Sequence, residues 1–214
     1  METAEQELEA LKQWWNENGR TLVVGVVLGL GGVFGWTTYQ GKLEADAEAL
    51  SIIYQQVVDA ASEDQHEAVR AQATSIMESS PESGYASLGA LLAAKSAYQQ
   101  KDLDGAKNYL FWIVQNAGQS NVRDVARIRL ARILVEEKLF DEVESNLNAV
   151  ENQTFSPTVN EIRGDMRLIQ GDVAGAREAY ESTLNSDNVS GATRTRVQMK
   201  LDDLGIADDE RTTG

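Results

Sequence analysis

Between Arg20 and Lys42 the chain has no charged residue, in a sequence that is otherwise polar and acidic. The core of that stretch, TLVVGVVLGLGGVFGWTTY, is 19 residues long. Wound as a helix it covers about 28 Å, close to the ~30 Å hydrocarbon core of a bilayer. No other segment of the sequence is as long and as apolar. The pattern predicts one membrane span followed by a soluble domain, so whatever the chain does is done from a tether.

Aromatic residues flank the span on both sides, Trp14 and Trp15 before it and Trp36 and Tyr39 at its end. Their rings suit the two membrane–water interfaces. A cleaved signal peptide fits less well. Its apolar core is about 7–15 residues behind a basic start, whereas here the preceding residues carry five Glu and only Lys12 and Arg20. The expected layout is a short cytoplasmic tail at 1–20, a signal anchor at 21–41, a periplasmic repeat domain at 42–206 and a disordered tail at 207–214. Lys12 and Arg20 against Lys42 alone favour a cytoplasmic N-terminus, because orientation follows Lys and Arg and largely ignores acids. The absence of cysteine leaves no disulfide framework and no thiolate chemistry.

Gly25, Gly29 and Gly32 share one face of the span, and Gly31 with Gly35 forms a second four-residue pair. Small residues let a neighbouring helix approach closely, so this face suits packing against a membrane partner or a second copy of the chain. The plain alternative is compositional, since glycine is frequent in membrane helices.

Beyond Leu43 the apolar residues recur at three and four, as in Leu50, Ile53, Tyr54, Val57 and Val58, and the strong helix formers dominate. The fold class is all-α. Turn-like clusters divide it into about eight helices and a last one; they include Ser62-Glu63-Asp64, Lys101-Asp102, Ser156-Pro157 and Gly171-Asp172. A repeat is visible at Val69, Ala106, Val143 and Ala176, spaced by 37, 37 and 33 residues. Twelve residues before each lie Val57, Ala94, Ala131 and Gly164. Small residues on paired helices at this period resemble the tetratricopeptide repeat, a helical hairpin of about 34 residues. Val143 stands where alanine is expected, and Arg163 and Arg167 where apolar residues are usual. An irregular helical bundle is the alternative. The segment 192–204, with Val197, Leu201 and Leu204 on one face, reads as a C-terminal capping helix.

Catalytic chemistry is not visible. His66 is the single histidine, which together with the lack of cysteine excludes the usual zinc sites. There is no Gly-x-Ser-x-Gly elbow and no phosphate-binding loop. No cofactor or metal is expected, and the chain does not read as an enzyme. Its 19 Lys and Arg stand against 34 Asp and Glu, a formal net charge of −15. Such a surface repels nucleic acid and anionic lipid headgroups. Arg123, Arg127, Arg129 and Arg132 share one helix with Glu136 and Glu137 behind them, which favours surface ion pairs over a functional basic patch. Repeat stacks bind partners in the groove lined by the first helix of each hairpin. By spacing, Leu88, Leu91, Lys95 and Tyr98 on one such helix and Ile128, Arg132 and Val135 on the next are the outward-facing candidates. Leu91 and Ile128 suit the core equally.

Several features together resemble one family. They are Trp14-Trp15-Asn-Glu-Asn-Gly19-Arg20, the run VGVVLGLGGVFGW, Tyr54-Gln-x-Val, Arg163-Gly164-Asp165, Gly171-Asp172 and Gly175-Ala176-Arg177. The chain is similar to the YfgM family, ancillary subunits of the SecYEG translocon of Gram-negative bacteria, along essentially its whole length. The resemblance implies a single-pass protein of the cell inner membrane with a periplasmic helical-repeat domain. It implies partners in the translocon and in a PpiD-like, membrane-anchored periplasmic chaperone, and a role in handing newly translocated proteins to periplasmic chaperones. It brings no catalytic residue. A periplasmic scaffold for envelope assembly or cell division is the alternative function.

Overall fold

A computed structural model describes residues 2–212, without the side chains of 2–6, Ala10, Glu44 and 206–212. Of the disordered tail expected over 207–214, residues 207–212 continue a helix in backbone, and 213–214 lie outside the described residues. The described residues are almost wholly helical, with no strand. They divide into two compact units, Met1–Ser51 and Ile52–Gly214.

Helix α1, Glu2–Ser62, is the only element of the first unit and runs on into the second. It is the one helix among the described residues long and apolar enough to cross a membrane. Its apolar residues are exposed all round, including Val23, Leu28, Phe34 and Trp36. A helix apolar on every side needs lipid or a partner rather than water.

In the second unit the end of α1 is followed by α2 (His66–Ser79), α3 (Gly84–Gln99), α4 (Leu103–Asn116), α5 (Ser120–Glu136) and α6 (Phe140–Asn148). A 3-10 turn, Gln153–Phe155, leads into α7 (Ser156–Ile169), α8 (Val173–Leu184) and α9 (Gly191–Thr212). Contacts run α2–α3–α4–α5–α6, then α5–α7–α8–α9, with smaller contacts of α7 to α6 and to α9, which is a stack in which each hairpin meets the adjacent ones.

The repeat register follows from burial. Val69, Ala106, Val143 and Ala176 are all 0–1% exposed, and Val57, Ala94 and Ala131 no more than 3%. At the remaining position a Cβ on Gly164 would overlap the ring of Tyr180, so α7 and α8 close on each other only with glycine there. Val143 fits an alanine position because its branched side chain is wholly buried among Leu134, Leu147 and their neighbours in one apolar cluster from α3 to α7. Arg163 and Arg167 replace apolar packing with bonds. Arg163 Nη2 donates to Asn148 Oδ1 at 2.6 Å, and Arg167 Nη1 to the Gly175 carbonyl at 3.1 Å.

One backbone device recurs at each hairpin turn. Asp64, Lys101, Lys138 and Gly171 have φ of 53, 59, 60 and 84°, the left-handed region. The next residue's N–H then reaches back five residues, Gln65 to Ala60, Asp102 to Ala97, Leu139 to Leu134 and Asp172 to Arg167. This is a Schellman closure of the preceding helix. Asp102 and Asp172 also cap the next helix, accepting from Gly105 N and Gly175 N at 2.9 Å.

Three expectations are corrected. Val135, expected to face outward, is 6% exposed and packs in the core at the edge of a hollow, while Ile128, for which groove and core were both open, is 5% exposed and in the core. The break expected only at Ser156-Pro157 begins earlier, because α6 ends at Asn148 and Asp124 gathers the loop behind it. That carboxylate is wholly buried and accepts from Glu151 N at 3.2 Å, Asn152 N at 3.0 Å and Arg127 Nη1 at 3.0 Å. The capping segment is longer than the expected 192–204, spanning Gly191–Thr212 with Val197 and Leu204 buried against Ala176 and Tyr180.

Candidate partner-binding groove

The first helices of successive hairpins, α3, α5 and α7, leave two hollows between them. The first, of about 360 Å³, has Lys95 and Tyr98 of α3 on one wall and Arg129, Arg132 and Glu136 of α5 on the other. Its floor is apolar: Ala94, Leu110 and Ile133, each 5% exposed or less. The second, of about 320 Å³, lies between α5 and α7 and is lined by Arg132, Val135, Glu136, Ile162, Asp165 and Ile169. Arg132 and Glu136 border both, so the two hollows form one groove across three helices. Arg129, Arg132 and Glu136 stand at i, i+3 and i+7, which places them on one helix face.

Tyr98 spans the first hollow. Its hydroxyl donates to Glu136 Oε1 at 2.6 Å. That bond to a carboxylate, with some burial behind it, pushes the phenol above its usual range. Arg129 is held below the usual guanidinium range by burial and by the like charge of Arg132. Leu91 is half-buried against the core. Leu88 lies outside this groove, in a smaller hollow with Gly118, Gln119 and Val122.

Lys95, Tyr98 and Arg132 therefore share one hollow, Leu88 lies in another, and Ile128 takes the core position that spacing left open for it. Arg129, Glu136, Leu110 and Ile169 are groove residues that spacing did not single out. Arg129 is adjacent to Ile128, and a one-residue error turns a helical side chain by about 100°. Of the four arginines on α5, two pair as expected, though with other partners. Arg127 meets Asp124 at 3.0 Å, and Arg123 meets Glu151 at 3.8 Å. Glu137 is taken by Lys107 at 2.8 Å.

In the first unit, a Cβ on Gly25, Gly29 or Gly32 would meet nothing within 4 Å. The glycine face is open. Among the described residues no group of three or more His, Asp or Glu side chains is disposed to hold a metal ion.

Comparison with known proteins follows the same outline. The tetratricopeptide repeat-like domain family model matches residues 12–206. A protein of Escherichia coli (strain K12) named ancillary SecYEG translocon subunit is 31% identical over 205 residues, covering 96% of this chain and 98% of that protein. Proteins of the same name from Haemophilus influenzae and Aggregatibacter actinomycetemcomitans are 27 and 28% identical over 200 residues, 94% of this chain and 97% of each. No solved structure matches the chain.

Proposed function

This chain belongs to the tetratricopeptide repeat-like family of ancillary SecYEG translocon subunits, and from that premise we propose that it is a non-catalytic, membrane-tethered adapter at the site of protein export. It associates with the SecYEG translocon and with a PpiD-like periplasmic chaperone, and helps pass newly translocated proteins to periplasmic chaperones. The observation that carries this reading is the end-to-end match to relatives of that name, which takes in the span as well as the repeats. The cell inner membrane, an N-terminus in the cytoplasm and a repeat domain in the periplasm follow from the same reading.

The physical form suits the task. A repeat groove offers a concave surface to a partner domain or an extended client. The tether holds that surface within nanometres of the membrane, so weak and exchangeable contacts act at high effective concentration. The open face at Gly25, Gly29 and Gly32 is where a translocon helix or a second copy would pack.

Purification in mild detergent tests the reading. Translocon subunits and a membrane-anchored chaperone should co-purify, and recovery of cell-wall assembly proteins instead would replace the adapter with an envelope scaffold. Gly25→Leu with Gly29→Leu should leave insertion intact, since leucine is more apolar, yet reduce that recovery. Unchanged recovery would make the glycines compositional.

A further inference from the structure

The groove is basic where the chain is acidic. Lys95, Arg129 and Arg132 line the first hollow and have no hydrogen-bond or ion-pair partner among the described residues. Yet the chain has 34 Asp and Glu to supply one. Elsewhere in the domain many of the same residue types are taken: Arg123 and Arg127 on the same helix, Lys107, Arg163, Arg167, Arg196 and Lys200. Lys101, Lys138 and Arg194 have no such partner either, but they are exposed and line neither hollow, whereas Lys95, Arg129 and Arg132 converge on one. Glu136, the one carboxylate in the first hollow, is bonded to Tyr98. Arg129 and Arg132, both exposed, oppose each other's charge from one face of α5. A negative group entering between them relieves that repulsion.

Past Arg132 the groove changes character. In the second hollow Asp165 is held by Lys200 at 2.6 Å and by the Tyr180 hydroxyl at 2.7 Å, which leaves Ile169, 46% exposed, as the open surface. Packed helices lie 8–10 Å apart. An extended chain advances about 3.3 Å per residue, so about three residues separate a side chain in one hollow from a side chain in the next.

We propose that the groove seats an extended, acidic segment of a partner protein, with two or more carboxylates between Lys95, Arg129 and Arg132 and an apolar side chain about three residues away on Ile169. The proposal rests on the groove being the partner site. Three cations on two helices exceed what one terminal carboxylate can neutralise, which favours acidic side chains over a C-terminus. The acid-rich remainder of the surface disfavours a polyanion as long as a nucleic acid.

The test uses the full chain in nanodiscs of zwitterionic lipid. The probe is a short fluorescent peptide with two adjacent glutamates and a leucine three residues on. The controls are the same peptide with Gln for Glu, and an uncharged peptide with a free C-terminal carboxylate. The glutamate peptide should bind, weaken with salt, and lose about tenfold or more in affinity on Arg129→Gln with Arg132→Gln, equivalent to about 1.4 kcal/mol. Lys95→Arg should keep the affinity. No binding, equal binding of either control, or indifference to the double variant overturns the proposal. Circular dichroism checks that these exposed substitutions leave the helices intact.

Co-purification of membrane partners separates this from failure of the groove itself. Loss of partners with Ile169→Arg and Tyr98→Ala but not with the arginine variants keeps the groove and rejects the acidic class. Loss with none of them rejects the groove as the partner site.

Discussion

From α3 to α6 the helices meet through Ala90, Ala94, Ala97, Ala106, Ala126 and Ala131, all 0–3% exposed, with Leu110, Ile113 and Leu134 filling between them. From α7 to α9 an apolar contact through Ala176, Tyr180, Val197 and Leu204 is joined by a charged network. Glu161, 3% exposed, takes both Nε and Nη2 of Arg196 at 2.6 Å and Lys200 at 2.9 Å, while Asp165 holds Lys200 and the buried Tyr180. Lys200 also lies 5.6 Å from the centre of the Tyr180 ring. An internal hairpin has a neighbour on each side, and small apolar residues make its two faces alike. The last hairpin must accept a single closing helix and then stop. A bidentate pair adds selectivity to the apolar contact, since Arg196 and Lys200 of α9 match Glu161 and Asp165, whereas an apolar face alone would accept many partners.

Among the described residues the middle of the stack has one wholly buried charge, and it carries the largest expected effect. Asp124 is wholly buried and holds two backbone donors and Arg127. Asp124→Ala leaves those groups without their acceptor and should cost about 3–5 kcal/mol. Thermal unfolding measures it. A loss under 1 kcal/mol would mean the loop before α7 rests on other contacts.

Two close helix approaches come next, one from each region. Ala106→Trp in the middle and Gly164→Ala at the end both add volume where none is free, at about 1–3 kcal/mol each. A melting temperature unchanged at either site would show that the helices can slide apart there. Glu161 adds a smaller, pH-dependent effect. Burial pushes its carboxyl up, but Arg196 and Lys200 outweigh that and hold it below its ordinary 4.5. A depressed folded-state pKa gives stability that is present above 4.5 and lost as pH falls through the lower value. Melting followed from neutral to acid pH should show that loss in the native chain and a flatter curve in Glu161→Gln. Identical curves would mean the closing network contributes nothing at this carboxylate.

The two regions were not equally legible in the sequence. Val69, Ala106, Val143 and Ala176 could be read because a repeat writes the same packing constraint at a fixed period, and the tetratricopeptide-like fold followed. Gly164 could be read as small, but not as the seat of Tyr180, since that pairing needs the α7–α8 contact. Charges were harder. Arg132 and Glu136 have the i,i+4 spacing of a helical pair, yet Glu136 goes to Tyr98 on another helix. Glu161 with Arg196, 35 residues apart, has no local pattern at all. Apolar periodicity is a property of one helix, whereas the partner of a long polar side chain is decided by which helices meet.

The smallest effects lie in the turns and compare the two regions most directly. The middle turns put Lys101 and Lys138 in the left-handed conformation, and the last turn puts Gly171 there. A side chain in that region costs about 1–2 kcal/mol, while glycine gives up about 0.5–1 kcal/mol of unfolded-state freedom. Lys138→Gly should therefore stabilise by about 0.5–1 kcal/mol, or about 2–4 °C in melting temperature per kcal/mol for a domain of this size. Gly171→Ala should destabilise by a similar amount. A Cβ at 171 meets nothing within 4 Å, so its loss would be one of backbone conformation alone. Opposite signs at the two sites are the expected result. The same sign at both would show that the turns differ in more than the residue at this position, and that the Schellman closures of the middle and the end are not equivalent.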